Sequence, residues 1–267
     1  MAHSLNNLAN VHQAMGAYAE AKVLNERALA IREKALGPEH PLVAVSLNNL
    51  ANVHHDMGSY AEARLLHERA LAIREKVLGP EHPDVALTLN NLANVHKAMG
   101  AHAEAKALHE RALAIREKAL GPEHPDVAQS LNNLANAHNA MGANAEAKLL
   151  FERALAIQEK VLGPDHPDVA GTLSNLGNLA LAQHQPTAAL ALLERAVTIY
   201  AADEGMQTFE PEAHFSLARA LLLTKGDRTR ALSEARRAAD GFRAAGEGKA
   251  KELAEVEAFL AKYRAAP

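Results

Sequence analysis

The chain has 267 residues, of which 48% are hydrophobic, 22% charged and only 3% aromatic, and its formal net charge is −4. This weakly acidic balance disfavours a nucleic-acid platform, which needs a basic stripe, and the lack of cysteine excludes disulfides and thiolate metal sites. The N-terminus lacks the basic and apolar regions of a secretory signal, and no apolar run reaches the roughly 20 residues of a membrane span. These features predict a cytoplasmic protein that contacts neither nucleic acid nor membrane.

The first element in the chain is the motif SLNNLANVH, which begins at Ser4 and returns with small changes every 42 residues, at Ser46, Thr88 and Ser130. Each copy continues through a segment like ERALAIREK to one like LGPEHPDVA. A fixed period of this size is the signature of a repeat architecture. We divide the chain into six repeats and a final helix, at residues 4–45, 46–87, 88–129, 130–171, 172–212, 213–245 and 247–264.

Each repeat is predicted to form two helices. The first begins near HPDVA, where a proline such as Pro83 suits the first helical position and Asp84 complements the helix dipole. Gly100 ends this helix, and the second runs over about 101–120 before Gly121. A lone hairpin cannot bury its apolar stripe, so the hairpins are expected to stack into an all-α solenoid.

The two ends of this array differ. Residues 247–264 carry apolar side chains on one face and charged ones on the other, as a C-terminal capping helix needs. The first helix begins at about Ser4 without the HPDVA lead of the later copies. We therefore expect the chain to be part of a longer protein, with an uncapped first repeat through which a homo-oligomer could form.

Family resemblances now add to this picture. Leu8, Ala9, Gly16, Ala21 and Ala28, with the matching positions of later copies, resemble the tetratricopeptide repeat (TPR). The 42-residue unit with LNNLA, ERALAIREK and LGPEHPDVA resembles kinesin light chain repeats. These resemblances imply a right-handed superhelix that forms a single domain over residues 1–267. The segment ARALLLTKGDRTRALSEARRAADGF also resembles the end of large bacterial signalling proteins, which join such repeats to a serine/threonine kinase or a nucleotide-switch domain.

The asparagines of LNNLAN are unusual because asparagine is a mediocre helix former. Leu5, Leu8 and Ala9 are expected to face the second helix, whereas the asparagines project roughly the other way. The resemblance implies that this direction is a concave groove in which asparagines hold target peptides. An amide offers both donors and an acceptor, so it can bind a peptide backbone without reading its sequence. The alternative is that the amides bond to one another and to neighbouring helices, and so stabilise the stack.

The candidate groove residues share this position on the first helix of each repeat. They are Asn6, Asn10, Asn48, Asn49, Asn52, His55, Asn90, Asn91, Asn94, Lys97, Asn132, Asn133, Asn136 and Asn139. Basic residues are scarce among them, with Lys97 and His55 as the nearest candidates. The sequence therefore disfavours a strongly acidic ligand or a clamp for a C-terminal carboxylate.

Histidine also recurs once per repeat at two positions, the loop set His40, His82, His124 and His166 and the helix set His12, His54, His96 and His138. Adjacent repeats are about 10 Å apart, which is too far for one ion with ligands at about 2 Å. We therefore assign loop bonding or N-capping to the first set and core packing to the second, with no metal.

No catalytic or phosphate-binding motif is present, so we expect neither an enzyme nor a cofactor. The favoured function is a scaffold that binds a protein or peptide partner as an extended segment in the groove. The alternatives are a self-associating structural solenoid, or a passive sensor or spacer arm of a larger bacterial signalling enzyme.

Overall fold

The computed structural model describes residues 1–202 and 210–264, and the regular structure in this part of the chain is entirely helical. This confirms the predicted all-α fold class. The helices are α1 (Ala2–Ala14), α2 (Tyr18–Leu36), α3 (Pro41–Asp56), α4 (Tyr60–Leu78), α5 (Pro83–Ala98), α6 (His102–Leu120), α7 (Pro125–Ala140), α8 (Asn144–Leu162), α9 (Pro167–Ala182), α10 (Pro186–Ala202), α11 (Glu210–Leu223), α12 (Arg228–Ala244) and α13 (Ala250–Arg264).

The chain divides into two compact units, Met1–Gly142 and Ala143–Pro267. In the first unit, α1 pairs with α2, α3 with α4 and α5 with α6, and each hairpin contacts the next. In the second unit, α9 pairs with α10 and α11 with α12, and α13 packs on α12. The predicted hairpin repeats are therefore present in both units, while the single domain remains a prediction.

Histidine and proline together start four of the helices. At the N-terminus of α5, His82 has extended backbone and its Nδ1 accepts the Asp84 N–H at 3.1 Å, with Pro83 in the first turn. The loop histidines His40, His124 and His166 make the same bond with the same length. These side chains satisfy a helix-terminal N–H that no intrahelical carbonyl reaches, which confirms the N-capping prediction.

Small residues bring the helices close together. Ala51, Ala63 and Ala70 are fully buried in the second repeat, and Ala93, Ala105 and Ala112 are equally buried in the third. Val85, Ala86 and Leu89 of α5 form one core cluster with Ala112 and Ile115 of α6. Because alanine leaves little space between backbones, stacked helices bury a continuous apolar core without tryptophan.

Ion pairs join successive hairpins within each unit; we call them the ion-pair ladder and define it by arginines that reach a glutamate 36 residues earlier in the chain. In the first unit Arg69 lies 2.6 Å from Glu33, and Arg111 lies 2.6 Å from Glu75. In the second unit Arg195 lies 2.5 Å from Glu159 and Arg230 lies 2.6 Å from Glu194. Each pair joins one hairpin to the preceding one, although partly exposed pairs of this kind contribute at most about 1 kcal/mol each.

Candidate functional site

The first asparagine of each LNN motif is placed in the interior for three repeats, contrary to the prediction. Asn6, Asn48 and Asn90 are each only 4% exposed. Their amides therefore do not line a groove, and this part of the predicted site is wrong. Asn132, the fourth member of the set, is half-buried.

In the second repeat the buried amide lies in a polar network between helices. Asn48 Oδ1 lies 2.7 Å from His67 Nδ1 of α4, and Asn48 Nδ2 donates to Thr88 Oγ1 of α5 at 3.2 Å. Arg74 Nη1 donates to the same Oγ1 at 2.6 Å and to the Asp84 carbonyl at 2.8 Å. Thr88 in turn donates to that carbonyl at 3.1 Å. The network joins α4 to both neighbouring first helices, so this asparagine stabilises the stack.

The third repeat reproduces the arrangement. Asn90 Oδ1 lies 2.8 Å from His109 Nδ1, and Asn90 Nδ2 donates to Ser130 Oγ at 3.3 Å. Arg116 Nη1 donates to Ser130 Oγ at 2.9 Å and to the Asp126 carbonyl at 2.8 Å. The alternative in which the amides hold neighbouring helices together is therefore the correct one for Asn48 and Asn90.

Burial sets the charge state of the network. Desolvation lowers the pKa of His67 and of His109 to about 4, and nearby cations add to the effect. Both imidazoles are neutral at pH 7, and each donates an Nδ1–H to its asparagine because the amide oxygen can only accept. Desolvation also lowers the pKa of Arg74, and the Asp84 carboxylate opposes that shift.

The first repeat departs from this pattern because Asn25 stands where the next two repeats have histidine. Asn25 is fully buried and Asn6 is 4% exposed, and neither amide has a hydrogen-bond partner within the described residues. Arg32 keeps its usual role and donates to Ser46 Oγ at 2.7 Å and to the Leu42 carbonyl at 3.0 Å. The first repeat thus holds two unsatisfied amides, which carry a free-energy cost in a buried site.

The second and third asparagines of each motif lie on the accessible side of the first helix. We call this set the accessible asparagine rows; seven of its eight members belong to the predicted groove set. No hydrogen bond within the described residues occupies their amides. The rows consist of Asn7 and Asn10 on α1, Asn49 and Asn52 on α3, Asn91 and Asn94 on α5, and Asn133 and Asn136 on α7.

Neighbouring first helices touch within the first unit, so the rows lie side by side. Contacts join α1 to α3, α3 to α5 and α5 to α7. Residues three apart on a helix lie on the same face, which places the two asparagines of each row together. The arrangement repeats amide donors and acceptors from one first helix to the next.

The other predicted groove residues flank these rows. Gln13 Nε2 donates to Asp56 Oδ2 at 2.6 Å, and His55 Nδ1 lies 3.3 Å from Asp56 Oδ1. The His55 ring also packs edge-on against Tyr60. Lys97 is exposed and Asn139 is half-buried. Hydrogen bonds from His55 and Gln13 lower the pKa of Asp56 against the opposing effect of its burial.

The helix histidines differ in burial, whereas the prediction placed all four in the core. His54 is 8% exposed, and burial lowers its pKa. His12, His96 and His138 are half-buried. Among the described residues no cluster of three or more His, Cys, Asp or Glu side chains could hold a metal ion. No helix in that part of the chain is both long enough and apolar enough to cross a bilayer.

Comparison with known proteins places these features in a family. The family model described as tetratricopeptide repeat matches residues 1–76, 44–118, 84–160 and 137–202. No curated protein matches the chain in sequence. Two crystal structures of one protein from Podosopora anserina, a kinesin light chain type with nearly identical TPR-like repeats, are each 36% identical to the chain.

The alignments with these structures are long. The first, of a single-substitution variant, covers 75% of this chain and 94% of that one with a TM-score of 0.65, and the second covers 76% and 96% with a TM-score of 0.64. The structure of BtubC (BKLC) from P. vanneervenii is 20% identical, covers 88% of this chain and 92% of that one, and has a TM-score of 0.68, which shows the shared fold. The chain therefore belongs to the tetratricopeptide repeat family, in its kinesin light chain-like form.

Proposed function

We propose that the chain is a scaffold that holds an extended segment of a partner protein along the accessible asparagine rows. Tetratricopeptide repeats generally mediate protein–protein interaction, which supports the general class. The observation that carries the specific proposal is the set of accessible amides that have no hydrogen-bond partner within the described residues. The buried network shows that the same residue type is used internally where it is needed for stacking.

The chemistry of the rows favours backbone recognition. Each amide can accept from a peptide N–H and donate to a peptide carbonyl. A net hydrogen bond contributes about 0.5–1.5 kcal/mol, whereas micromolar binding needs about 8 kcal/mol. Several amides from adjacent helices must therefore act together, and contacts to apolar residues must supply the remainder. Because few charges are involved, binding should depend only weakly on salt.

The test removes amides from two adjacent rows without disturbing the buried network. The variant changes Asn49, Asn52, Asn91 and Asn94 to Ala together, and binding is measured on an array of peptides of random sequence. We expect the parent to bind a subset of the peptides and the variant to bind them at least about tenfold more weakly, since each lost bond contributes about 1 kcal/mol. Alanine is the better helix former, so the fold should be retained.

A matched control changes two exposed side chains on second helices, Glu68→Ala and Glu110→Ala. This control should bind as the parent does. Equal binding by the four-site variant, or no peptide binding by the parent, would contradict the proposal. A sharp fall in the melting temperature of the four-site variant would instead assign these amides to the stack.

A second candidate function, self-association, is favoured by the outer face of α1. Leu8 is 48% exposed and Val11 is 55% exposed, whereas the matching Leu50 and Val53 are 4% and 0% exposed. Val53 is covered because it packs with Ala9 and other residues of the first hairpin. We infer that a second copy of the chain covers the same face of α1 in a symmetric dimer.

Light scattering across protein concentrations tests this second candidate. The parent should form a dimer, and the double variant Leu8→Lys and Val11→Lys should remain a monomer. The control carries the same change at two exposed sites elsewhere, Leu65→Lys and Val77→Lys, and should still dimerise. A monomeric parent at all concentrations would refute self-association. The spacer or sensor arm of a signalling enzyme stays a prediction.

A further inference from the structure

A pocket of about 590 Å³ lies in the second unit, and none of the accessible asparagine rows contributes to its lining. Its walls come from α11 and α13, with Arg228 at the start of α12. Phe215 and Phe259 meet edge-to-face with centroids 5.3 Å apart, and Tyr263 lies 4.9 Å from Phe259. Leu222 and Leu223 continue the apolar wall. The volume is within the range of small-molecule sites.

Cations outnumber carboxylates around this pocket. Arg219 lies over the Phe215 ring at 5.9 Å and Lys262 over the Tyr263 ring at 5.2 Å. Neither cation has a carboxylate partner in residues 1–202 or 210–264. Among the described side chains that line the pocket, Glu255 is the one acidic residue. The pocket therefore combines an apolar interior with a positively charged rim.

The lining differs in kind from the asparagine rows. Among the described residues it contains no side-chain amide, and the Tyr263 hydroxyl is its one neutral hydrogen-bonding side chain. Aromatic and leucine side chains instead suit an apolar body, and arginine and lysine suit an anionic head. We propose that this pocket binds a small amphiphilic anion, such as an alkyl or aryl carboxylate. The site is independent of peptide binding by the rows.

Isothermal titration of the full chain tests the proposal with dodecanoate as the probe, below its micelle-forming concentration. Dodecanol, which has the same chain without the charge, is the matched ligand. We expect dodecanoate to bind at least about tenfold more tightly, since a charge-assisted hydrogen bond is stronger than one between neutral groups. Equal affinity for the two ligands, or no binding of dodecanoate, would overturn the proposal.

Variants then locate the bound anion. Arg219→Gln should weaken dodecanoate binding about tenfold and leave dodecanol binding unchanged, whereas the exposed Arg236→Gln should alter neither. Leu223→Asp places a negative charge at a 60% exposed position on the wall and should abolish dodecanoate binding. The same change at the 67% exposed Leu149 of α8 is its control. If Arg219→Gln affects binding no more than Arg236→Gln, or Leu223→Asp no more than Leu149→Asp, the proposed position of the anion is wrong.

A second ligand separates the free anion from a protein segment. An acetylated and amidated Leu-Glu dipeptide presents an apolar group and a carboxylate on a peptide backbone. We expect it to bind at least about tenfold more weakly than dodecanoate, because its leucine side chain buries less apolar surface than a dodecyl chain and its amides lose their water in an apolar lining. Tighter binding by the dipeptide would identify the occupant as a protein segment and overturn the proposal.

Discussion

Replacing Asn25 by His should stabilise the protein at neutral pH. Asn25 and Asn6 are both buried and have no hydrogen-bond partner among the described residues. In the next repeat the corresponding His67 bonds to Asn48 at 2.7 Å while it is only 1% exposed. The introduced imidazole should make the equivalent bond to Asn6, and one such bond stabilises the folded state by about 1 kcal/mol.

The gain should reverse in acid, which gives the prediction its sharpest feature. If the introduced imidazole is buried as His67 is, its folded pKa falls to about 4 from the ordinary 6.5. The unfolded chain then binds the extra proton first, so the free energy of unfolding falls as the pH drops below 6.5. This loss reaches about 1 kcal/mol near pH 6 and about 1.4 kcal/mol near pH 5.5. Asn25→His should therefore be more stable than the parent at pH 7.5 and less stable at pH 5.5.

Urea unfolding followed by circular dichroism at the two pH values measures both effects. Hydrogen exchange of the amides in α1 and α2 shows whether the gain is local, as expected where repeats unfold separately. The reciprocal control is His67→Asn, which should lose about 1 kcal/mol or more at pH 7.5 because Asn48 loses its bond. A variant Asn25→His that is destabilised at pH 7.5, or that keeps its gain at pH 5.5, would refute the reasoning.

Two further predictions concern buried positions. Lowering the pH from 6.5 towards 4 should destabilise the parent, because His67 and His109 have folded pKa values of about 4 and the unfolded chain takes up those protons first. Each histidine should lower the free energy of unfolding by about 3 kcal/mol over this pH range. Urea unfolding should show the loss as a falling midpoint. Gly177→Ala should lower the free energy of unfolding by about 1–2 kcal/mol in thermal melting, since its methyl group would lie 2.6 Å from Leu193 Cγ and overpacking exceeds the gain in helix propensity. The control Gly248→Ala, with no heavy atom within 4 Å, should have little effect.

The hairpin repeat could be predicted from the sequence because its signals are local. Pro83 after His82 starts α5, and Gly121 ends α6, as the capping rules indicate. The helix ends depend on backbone groups only a few residues away, so one copy of the unit is enough to place them. The same holds for the N-capping histidines.

Which asparagines are buried could not be predicted by dividing a single helix into an apolar side and a polar side. A first helix in a stack contacts its hairpin partner and both neighbouring repeats, so its buried arc covers more than the leucine stripe. Asn48 falls inside this arc next to Leu47, whereas Asn49 falls at its edge. The partners of Asn48, His67 and Thr88, lie 19 and 40 residues further along the chain.

One signal for the buried network was present in the sequence. A hydroxyl residue occupies the start of the motif in the second to fifth repeats, at Ser46, Thr88, Ser130 and Thr172, and each is buried. An arginine precedes the first three of these by 14 residues, and Gln158 replaces it before Thr172. A recurrent polar pair inside an apolar stripe indicates an internal hydrogen bond, and the asparagine beside it could have been joined to that pair.

The ion-pair ladder makes the hairpins interchangeable. Four hairpins each supply an arginine to a glutamate of the hairpin before it, as Arg111 does for Glu75. An added copy of the 42-residue unit would bring one further arginine and one further glutamate at the ladder positions, so the pairing would continue with no ladder charge left over. Unequal recombination between repeats of the gene could therefore lengthen or shorten the array by whole units without breaking its surface contacts, and the number of asparagine rows could evolve separately from the stability of each junction.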